Sequence, residues 1–537
     1  MSTAVNPDSA DSVYLRPEVK IEPLACGWYA WPFLVTPAQL AMNIRFRYLP
    51  LMQSFMTNPA VHAAAASDPK LFGGPFVTLS SNEVTKVKQL FDETLIRCST
   101  LIELADDLKK LDSLLQEKAN GFSLNEFYGK LPQSLQGLVE LNYDINNHPT
   151  VRVLEELLYD EGISANTQEI FLTPIRERER DFFMNTPRLR SPESMTFKMR
   201  FSDKRLDTLS AMRTRPKSFK SIASLLDVPE EEMATFRGLF TSTAPQAASS
   251  QEYTGSGTRV RYFGHACVLV QTASTAILFD PTFAIEQLND GRLTFNDLPE
   301  FIDYVVLTHS HQDHFCPEML IQLRHRVGKV IIPRNNCGSI TDPSLKLALR
   351  ELGYFDVEIM DSFDTIAIPD GEIVSLPFEG EHCDLNIYSK HAILLAVKGR
   401  KFMFLVDSDG RDVELYRRLM RRISSVDALF LGMECQGGPL TWMYEALLTK
   451  PINRKNNESR RLCGADSERA WNVWQQVKAP HVFVYAMGQE PWMRHLMGLE
   501  YDADSIQLKE SDKFIGLCTQ AGAQAERLFI SREMVWS

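Results

Sequence analysis

The second half of the chain is dominated by short, almost continuous apolar runs of strand length. These runs are ACVLVQ, TAILFD, YVVLTH, KVIIP, AILLAV, KFMFLVD, ALFLGM and HVFVYAM. Runs without polar alternation are typical of strands that are buried on both faces. Helical patterns lie between several of them, such as CPEMLIQLRHRV after YVVLTH and VELYRRLMRRI after KFMFLVD. The alternation predicts an α/β fold in which helices cover sheets.

The first part of the chain has a different texture. From Val84, and again from Ser218, apolar residues recur at helical spacing between charges. A stretch rich in Ser, Thr, Ala, Gly and Gln, residues 241–257, then interrupts every core-forming pattern. We therefore expect a mainly helical N-terminal domain (1–245), a linker (246–257) and a C-terminal α/β domain (258–537).

Composition limits the class of protein. With 537 residues, 44% of them hydrophobic, the chain can form two or three cores and is not a disordered protein. A formal net charge of −12 argues against a nucleic-acid partner. The nine scattered cysteines form no CxxC pair, which favours reduced thiols. Because the sequence has neither signal-peptide features nor about 18 consecutive apolar residues, we expect a cytoplasmic protein without a membrane partner.

One segment carries most of the functional information. Thr308-His309-Ser310-His311-Gln312-Asp313-His314 follows an apolar strand and precedes a helix that begins near Pro317. Two residues apart on extended backbone, His309 and His311 project to the same side and can bind one cation. Asp313 and His314 can face a second cation as the chain turns into the helix. The alternative is a pair of surface histidines with a helix-capping Asp313, but clustering at a strand's carboxyl end favours a metal site.

The segment does not stand alone. Together with Arg261-Tyr-Phe-Gly-His-Ala and Leu278-Phe-Asp-Pro, it resembles the metallo-β-lactamase superfamily. The resemblance implies an αββα sandwich with a dinuclear site along one edge, and further ligands at the ends of later strands. Either Glu381 or His382 fills the first such position, and Asp407, with Asp409 as its neighbouring competitor, fills the second.

The final ligand of the superfamily is normally a histidine after a late strand. Here HVFVYAM is followed by Gly488-Gln489-Glu490-Pro491-Trp492, and the nearest histidine is His495. A set containing Glu381 is therefore richer in oxygen donors than that of the usual hydrolases. Oxygen donors suit iron or manganese, and iron can change oxidation state whereas zinc cannot. The departures from the superfamily pattern favour oxidation chemistry.

At this level of detail the resemblance narrows. HSHQDH, FEGEH, LVDSD and MGQEPW, with the helical first region, are similar to the CmlA-type diiron β-hydroxylases of nonribosomal peptide biosynthesis. The resemblance implies one iron bound by His309, His311 and Glu381. It implies a second iron bound by Asp313 and His314, with Asp407 at the second iron or between both. Glu381 and Asp407 are thus the expected catalytic residues.

The resemblance also implies the substrate and the partners. The expected enzyme is a dioxygen-dependent non-haem diiron monooxygenase that hydroxylates the β-carbon of an amino acid. That amino acid would be held as a thioester on a carrier domain of a nonribosomal peptide synthetase. The enzyme would use dioxygen as cosubstrate and would receive electrons from an external donor through a redox partner. It would form a homodimer. The N-terminal domain would cover the active site, dock the carrier or form the dimer interface.

Several residues keep two interpretations at this stage. His265 either lines the site or holds a loop, and Asp280 is either an outer hydrogen-bond acceptor or a turn former. Glu434, after ALFLGM, faces the cluster or the substrate. Gln489, Glu490 and Trp492 line a substrate pocket or form an ordinary loop. The basic clusters Arg417–Arg422 and Arg454–Arg461 are carrier-docking patches or solvated faces.

Two other functions compete with the hydroxylase. One is a dizinc hydrolase, a thioesterase or lactonase, which requires His382 rather than Glu381 in the metal site. The other is a metal-stabilised scaffold that recruits biosynthetic enzymes without chemistry of its own. The nearly complete ligand set argues against the scaffold.

Overall fold

A computed structural model describes residues 11–68, 71–247 and 250–537. Part of the expected linker, residues 248 and 249, lies outside the described residues, as do residues 1–10. The N-terminal region combines the predicted helices with nine short strands, and the C-terminal region is a four-layer sandwich.

Eleven helices, of which only two exceed nine residues, and three small sheets make up the described part of the N-terminal region. Its helices are α1 (Pro32–Val35), α2 (Pro37–Asn43), α3 (Leu49–Thr57), α4 (Pro59–Ala66), α5 (Val84–Arg97), α6 (Ser99–Lys118), α7 (Asn125–Tyr128), α8 (Glu155–Asp160), α9 (Arg205–Ala211), α10 (Phe219–Leu225) and α11 (Met233–Gly238). Its strands are β1 (Ser12–Leu15), β2 (Val19–Ala25), β3 (Trp28–Tyr29), β4 (Val139–Tyr143), β5 (Pro149–Val153), β6 (Gln168–Pro174), β7 (Met195–Phe197), β8 (Lys217–Ser218) and β9 (Phe240–Thr241).

The strand pairs of this region join segments that are far apart in sequence. Strand β2 pairs along its whole length with β6, antiparallel, from Val19 opposite Pro174 to Ala25 opposite Gln168. The order of the resulting sheet is β3-β2-β6-β7. The apolar pattern that begins at Val84 forms two helices, α5 and α6, which are separated at Cys98.

Two seven-stranded sheets form the C-terminal region. Its strands are β10 (Thr258–Tyr262), β11 (Val268–Gln271), β12 (Ala276–Phe279), β13 (Ile302–Val306), β14 (Val327–Pro333), β15 (Val357–Met360), β16 (Thr365–Ile368), β17 (Gly371–Leu376), β18 (Ala392–Val397), β19 (Arg400–Val406), β20 (Ala428–Gly432), β21 (His481–Tyr485), β22 (Gln524–Arg527) and β23 (Arg532–Trp536). Its helices are α12 (Pro317–Leu323), α13 (Leu345–Glu351), α14 (Val413–Ile423), α15 (Leu440–Tyr444), α16 (Arg454–Ser459), α17 (Ser467–Val477), α18 (Arg494–Met497) and α19 (Ile506–Gln520).

The order of the first sheet is β15-β14-β13-β12-β11-β10-β23, and that of the second is β16-β17-β18-β19-β20-β21-β22. Their inner faces share one buried apolar core. At its centre the Phe404 ring stacks between Phe279, at 4.3 Å, and Phe430, at 4.6 Å. Such stacking adds to the apolar area that each ring buries. The predicted αββα sandwich is confirmed, and each of the eight apolar runs contains one of its strands.

Helices cover the outer face of each sheet. Helices α14, α17 and α19 pack on the second sheet in a core of their own. The outer face of the first sheet packs with α12, α13 and the N-terminal region in one continuous apolar core. The N-terminal region is therefore part of the layer that covers the first sheet.

A buried ion-pair network joins the N-terminal region to α12, the helix that directly follows the HSHQDH segment. Glu318 Oε2 accepts hydrogen bonds from Tyr29 Oη, at 2.8 Å, and from Arg180 Nη2, at 2.6 Å. Arg180 also binds Glu22, which pairs with Arg188. Burial would lower the pKa of Arg180, but the Glu318 and Glu22 carboxylates raise it well above its usual value. The network fixes the start of α12 against β2.

No helix in the described ranges is both long enough and apolar enough to cross a bilayer.

Removing Glu318 tests the importance of this network. Glu318→Ala leaves Arg180 buried with one carboxylate fewer, which we expect to lower the free energy of unfolding by about 3–5 kcal/mol. Glu358→Ala is the control, because its ion pair with Lys329 is solvent-exposed and contributes at most about 1 kcal/mol. Urea denaturation followed by fluorescence measures both. Equal effects of the two substitutions would contradict the proposed importance of the network.

Candidate metal centre

The HSHQDH segment is fixed by the strand beside it. Asp280 follows β12, and its Oδ1 accepts from the Thr308 backbone N–H at 2.8 Å. Its Oδ2 accepts from the Thr308 hydroxyl at 2.6 Å and lies 2.9 Å from His314 Nδ1. Asp280 therefore orients a histidine of the cluster, the outer hydrogen-bonding interpretation left open above, and leaves Nε2 of His314 directed into the site.

The six predicted ligands lie together at one edge of the sandwich, all of them buried. Three groups have donor atoms within 4.8 Å of one another. They are His309 with His311 and Glu381, His309 with His314 and Asp407, and His265 with Asp313 and His314. The first group is the trio implied for one iron. The other two place His314 beside both Asp407 and Asp313.

The competition between Glu381 and His382 has a clear geometry. Glu381 Oε2 lies 2.9 Å from His311 Nδ1. His382 Nδ1 instead lies 3.2 Å from the hydroxyl of Tyr444, and among the described residues no candidate metal group includes His382. Glu381 has a positive φ of 65° and follows Gly380, whose φ is 84°. Both side chains lie at the cluster, since the His382 ring is 4.2 Å from the His311 ring, but only Glu381 shares a candidate metal group with His309 and His311.

The competition between Asp407 and Asp409 is equally clear. Asp409 Oδ1 pairs with Arg469 Nη1 and its Oδ2 with Arg411 Nε, both at 2.6 Å. Asp407 Oδ2 lies 2.9 Å from His314 Nε2 and 3.6 Å from His309 Nε2. Both carboxylate oxygens of Asp409 are thus paired with arginines, whereas the Asp407 carboxylate faces His309 and His314.

The backbone before Asp407 is strained. Val406 has a φ of 52°, which a β-branched residue rarely adopts, and such strain concentrates at functional sites. Gly432, at the end of the neighbouring strand β20, makes room for the carboxylate, because a Cβ there would overlap Asp407 Oδ1.

The electrostatics of the cluster are those of a cation site. Burial lowers the pKa of His309 well below its usual value, and the neighbouring His314 and His311 lower it further. Burial also lowers the pKa of His314, but the carboxylates of Asp407, Asp313 and Asp280 reverse this and raise it well above normal. Burial raises the pKa of Glu381, against the lowering effect of His311.

The cluster contains buried polar atoms that make no hydrogen bond in the described ranges, namely His309 Nε2, His314 Nε2, His382 Nε2 and Asp407 Oδ1. Asp407 Oδ2 lies within ion-pair distance of His314 Nε2 and His309 Nε2, without hydrogen-bond geometry. Unsatisfied buried polar atoms are costly, and metal coordination is a common way to satisfy them. With three imidazoles and three carboxylates, the donor set fits iron, as the oxygen-rich sequence pattern predicts.

His265 makes both kinds of contact that the sequence left open. Its Nδ1 accepts from the Gly488 N–H at 3.1 Å, and its backbone oxygen accepts from the Ala486 N–H, so it holds the loop after β21. Its Nε2 also lies 3.1 Å from Asp313 Oδ2. His265 thus connects that loop to the cluster.

The loop that replaces the usual histidine is structural at two of its positions. Glu490 accepts a hydrogen bond from the Tyr262 hydroxyl, and Trp492 donates to the Thr282 carbonyl at 3.0 Å. Both side chains are buried, and neither lines the cavity at the cluster. His495 is buried elsewhere, edge-on to Tyr29 with ring centroids 5.8 Å apart.

A cavity of about 420 Å³ opens onto the cluster. Its polar wall includes His311, Asp313, Glu381, Asp407 and Glu434, and its apolar wall includes Phe72, Trp442, Met443, Leu462 and Met497. The segment Leu71–Phe76 of the N-terminal region forms part of the same wall. A second cavity of about 600 Å³ shares Gly73, Gly74, Pro75, Pro439 and Trp442 with the first.

Sequence reasoning missed Tyr444. Its hydroxyl lies 3.3 Å from His311 Nε2 and 3.2 Å from His382 Nδ1. Tyr444 therefore contacts the two histidines that also lie next to the Glu381 carboxylate. No local pattern indicates this role, because Tyr444 is more than sixty positions along the chain from His382.

Comparison with known proteins identifies the family. A family model described as the diiron non-heme beta-hydroxylase N-terminal domain matches residues 14–245, and a beta-lactamase superfamily domain matches residues 259–393. The 4-amino-L-phenylalanyl-[CmlP-peptidyl-carrier-protein] 3-hydroxylase of Streptomyces venezuelae is 33% identical over 531 residues, 97% of this chain and 99% of that protein. The chain belongs to the CmlA-type diiron β-hydroxylases.

Solved structures agree with this family. The crystal structure of CmlA, a diiron beta-hydroxylase from Streptomyces venezuelae, has a TM-score of 0.91 at 31% identity, covering 98% of this chain and 99% of that one. A UPF0173 metal-dependent hydrolase of Christiangramia forsetii is 24% identical over 151 residues, 26% of this chain and 65% of that protein. The predicted diiron monooxygenase class is confirmed, and the rival hydrolase is not favoured.

The contact at Gly432 gives a test of the site geometry. Gly432→Ala places a methyl group on Asp407 Oδ1, so we expect the metal content per chain to fall, measured by elemental analysis after loading with ferrous iron. Gly516→Ala is the control, because a Cβ there meets nothing within 4 Å and alanine favours its helix. Unchanged iron in Gly432→Ala would mean that Asp407 has room to move without losing the metal.

Proposed function

We propose that two iron ions bind in this cluster. His309, His311 and Glu381 hold one, and Asp313 and His314 hold the other, with Asp407 at the second iron or between both. The observation that carries this assignment is the 2.9 Å approach of Glu381 Oε2 to His311 Nδ1, together with the unsatisfied atoms His309 Nε2, His314 Nε2 and Asp407 Oδ1.

The reaction we propose is β-hydroxylation of an amino acid tethered as a thioester to a carrier domain of a nonribosomal peptide synthetase. The Streptomyces venezuelae relative, by its name, acts on a 4-amino-L-phenylalanyl group carried by the CmlP peptidyl carrier protein. The shape and lining of the cavity support the same substrate class for this chain. The cavity offers an apolar wall for a side chain next to the metal cluster, and a neighbouring cavity that extends along the Gly73–Pro75 segment.

The chain's residues perform the positioning in this reaction. When bound, iron supplies the dioxygen and redox chemistry that no side chain of the cluster supplies. Asp280 and Tyr444 orient His314 and His311 by contact with their second ring nitrogens. Phe72 and Trp442 line the apolar side of the cavity and limit the access of water. The amino acid would enter with its β-carbon toward Glu381 and Asp407.

Of the two basic clusters, we favour Arg454–Arg461 as the carrier-docking patch. Arg461 lines the cavity at the metal cluster, and an acidic carrier with its phosphate-bearing arm would be attracted to such a surface. Arg417–Arg422 lies on α14, which packs on the outside of the second sheet. The redox partner and the homodimer implied by the resemblance stay predictions.

The ligand assignment predicts different outcomes for two neighbouring residues. Glu381→Ala removes a carboxylate from the first trio, so we expect loss of iron and of hydroxylation. His382→Ala removes a ring held by Tyr444, so we expect iron to be retained. Elemental analysis of both variants after identical iron loading measures this. Retention of iron by Glu381→Ala with loss in His382→Ala would reverse the assignment.

The substrate assignment is tested with a carrier protein loaded separately with different amino acids. With iron, dioxygen and a chemical reductant, we expect mass spectrometry of the carrier arm to show one added oxygen atom on at least one amino acid. Release of the free amino acid without oxygen insertion would instead support the dizinc thioesterase. The zinc-loaded protein is the control, since zinc cannot change its oxidation state.

A further inference from the structure

Glu434 is a carboxylate at the metal cluster that neither the fold nor the proposed ligand set uses. It lies two residues beyond β20, the strand whose end accommodates Asp407. Its side chain is half-buried and lines the same cavity as Glu381 and Asp407.

The backbone holds Glu434 in place. Its carbonyl accepts a hydrogen bond from the Gly464 N–H at 2.8 Å, and the next residue, Cys435, donates to Met433 at 2.8 Å. Gly464 packs closely, because a Cβ there would lie 3.4 Å from the Glu434 nitrogen. The carboxylate is therefore presented to the cavity by an ordered loop.

Within the part of the chain that the structure describes, the Glu434 carboxylate forms no ion pair with an arginine, lysine or histidine. Among the described residues, none of the three candidate metal groups includes Glu434. Burial raises the pKa of Glu434 well above its usual value, and Asp313, Asp407 and Glu381 raise it further. A carboxylate surrounded by other carboxylates and held in a cavity is stabilised by a cation.

The proposed substrate carries such a cation. An aminoacyl thioester has an α-ammonium group, and the α-carbon that bears it is bonded directly to the β-carbon that is hydroxylated. A residue that binds the ammonium must therefore lie beside the metal cluster and in the substrate cavity, and Glu434 meets both conditions. We propose that Glu434 binds the α-ammonium group of the aminoacyl substrate and thereby selects amino acids over other acyl groups. This inference rests on the proposed function.

If Glu434 binds the ammonium group, the side chain of the substrate amino acid should contact the apolar wall of the cavity. Phe72, Trp442 and Met497 lie on the cavity wall with Glu434. An acyl group whose ammonium binds Glu434 is fixed at the α-carbon, which presents the β-carbon to the cluster in one orientation. Loss of this contact would weaken binding and reduce the control of that orientation.

The test compares two probes that differ only in the amino group. These are the amides that L-phenylalanine and 3-phenylpropanoic acid form with aminopantetheine, in which an amine replaces the pantetheine thiol, chosen because amides resist hydrolysis and a phenyl ring suits the apolar wall. Their dissociation constants for the zinc-loaded protein are measured by calorimetry. We expect the wild-type protein to bind the amine-bearing probe about 10- to 100-fold more tightly, the range for a charge-assisted hydrogen bond.

Glu434→Gln should reduce this preference to near unity while leaving the affinity for the amine-free probe unchanged. Glu126→Gln is the control, because Glu126 is exposed, pairs with Lys130 and does not line the cavity, and it should keep the wild-type preference. With the iron-loaded enzyme and its loaded carrier, Glu434→Gln should raise KM more than it lowers kcat.

Each other outcome overturns the inference in a recognisable way. Equal affinity of the wild-type protein for both probes excludes ammonium recognition. Loss of metal from Glu434→Gln, by elemental analysis, would make Glu434 a metal ligand instead. Equal loss of affinity for both probes would indicate a structural role. Failure of the proposed function is distinguishable, because the iron-loaded wild-type enzyme would then hydroxylate no carrier-bound amino acid.

Discussion

The candidate metal site depends on holding buried carboxylates and unpaired imidazole nitrogens together at one edge of the sandwich, against their electrostatic cost. Three imidazoles and three carboxylates lie there within a small volume, and the Nε2 atoms of His309 and His314 make no hydrogen bond among the described residues. Apolar residues at these positions would pack at lower cost. The arrangement is maintained by the stacked Phe404 core behind it and by the Asp280 carboxylate beneath the HSHQDH segment. Bound cations would relieve most of this electrostatic cost.

The candidate ligands lie near the ends of strands, at one edge of the sandwich. Each strand delivers a ligand only where the backbone leaves its regular conformation, as at Val406 before Asp407 and at Gly380 before Glu381. A residue with a positive φ redirects the side chains that follow it, and the surrounding sheet bears the strain. In the proposed ligand set, Glu381 at this turn lies with His309 and His311. With the adjacent histidine in its place, the donor set would be better suited to zinc.

The N-terminal region has a functional position as well as a structural one. Its ion pairs with Glu318 fix the helix that follows the metal-binding segment, and its Leu71–Phe76 segment closes one side of the cavity. The apolar core runs from this region into the first sheet without interruption. The chain therefore combines the sandwich with a second region that forms part of the wall of the cavity at the candidate metal site.

The sequence alone determined the eight central strands, because continuous apolar runs bury well only as strands between two layers. It also located the candidate ligands at the strand ends, while the choice of Glu381 over His382 and of Asp407 over Asp409 came only from the family resemblance. It did not reveal the β2–β6 pairing, because those partners are about 150 positions apart. Only the tertiary structure decided four further contacts. They are the position of His265 between the loop after β21 and Asp313, the pairing of Asp409 with Arg411 and Arg469, the contact of Tyr444 with His311, and the position of Glu434 on the cavity wall. Each depends on residues that are distant in the chain and meet only when both sheets are packed.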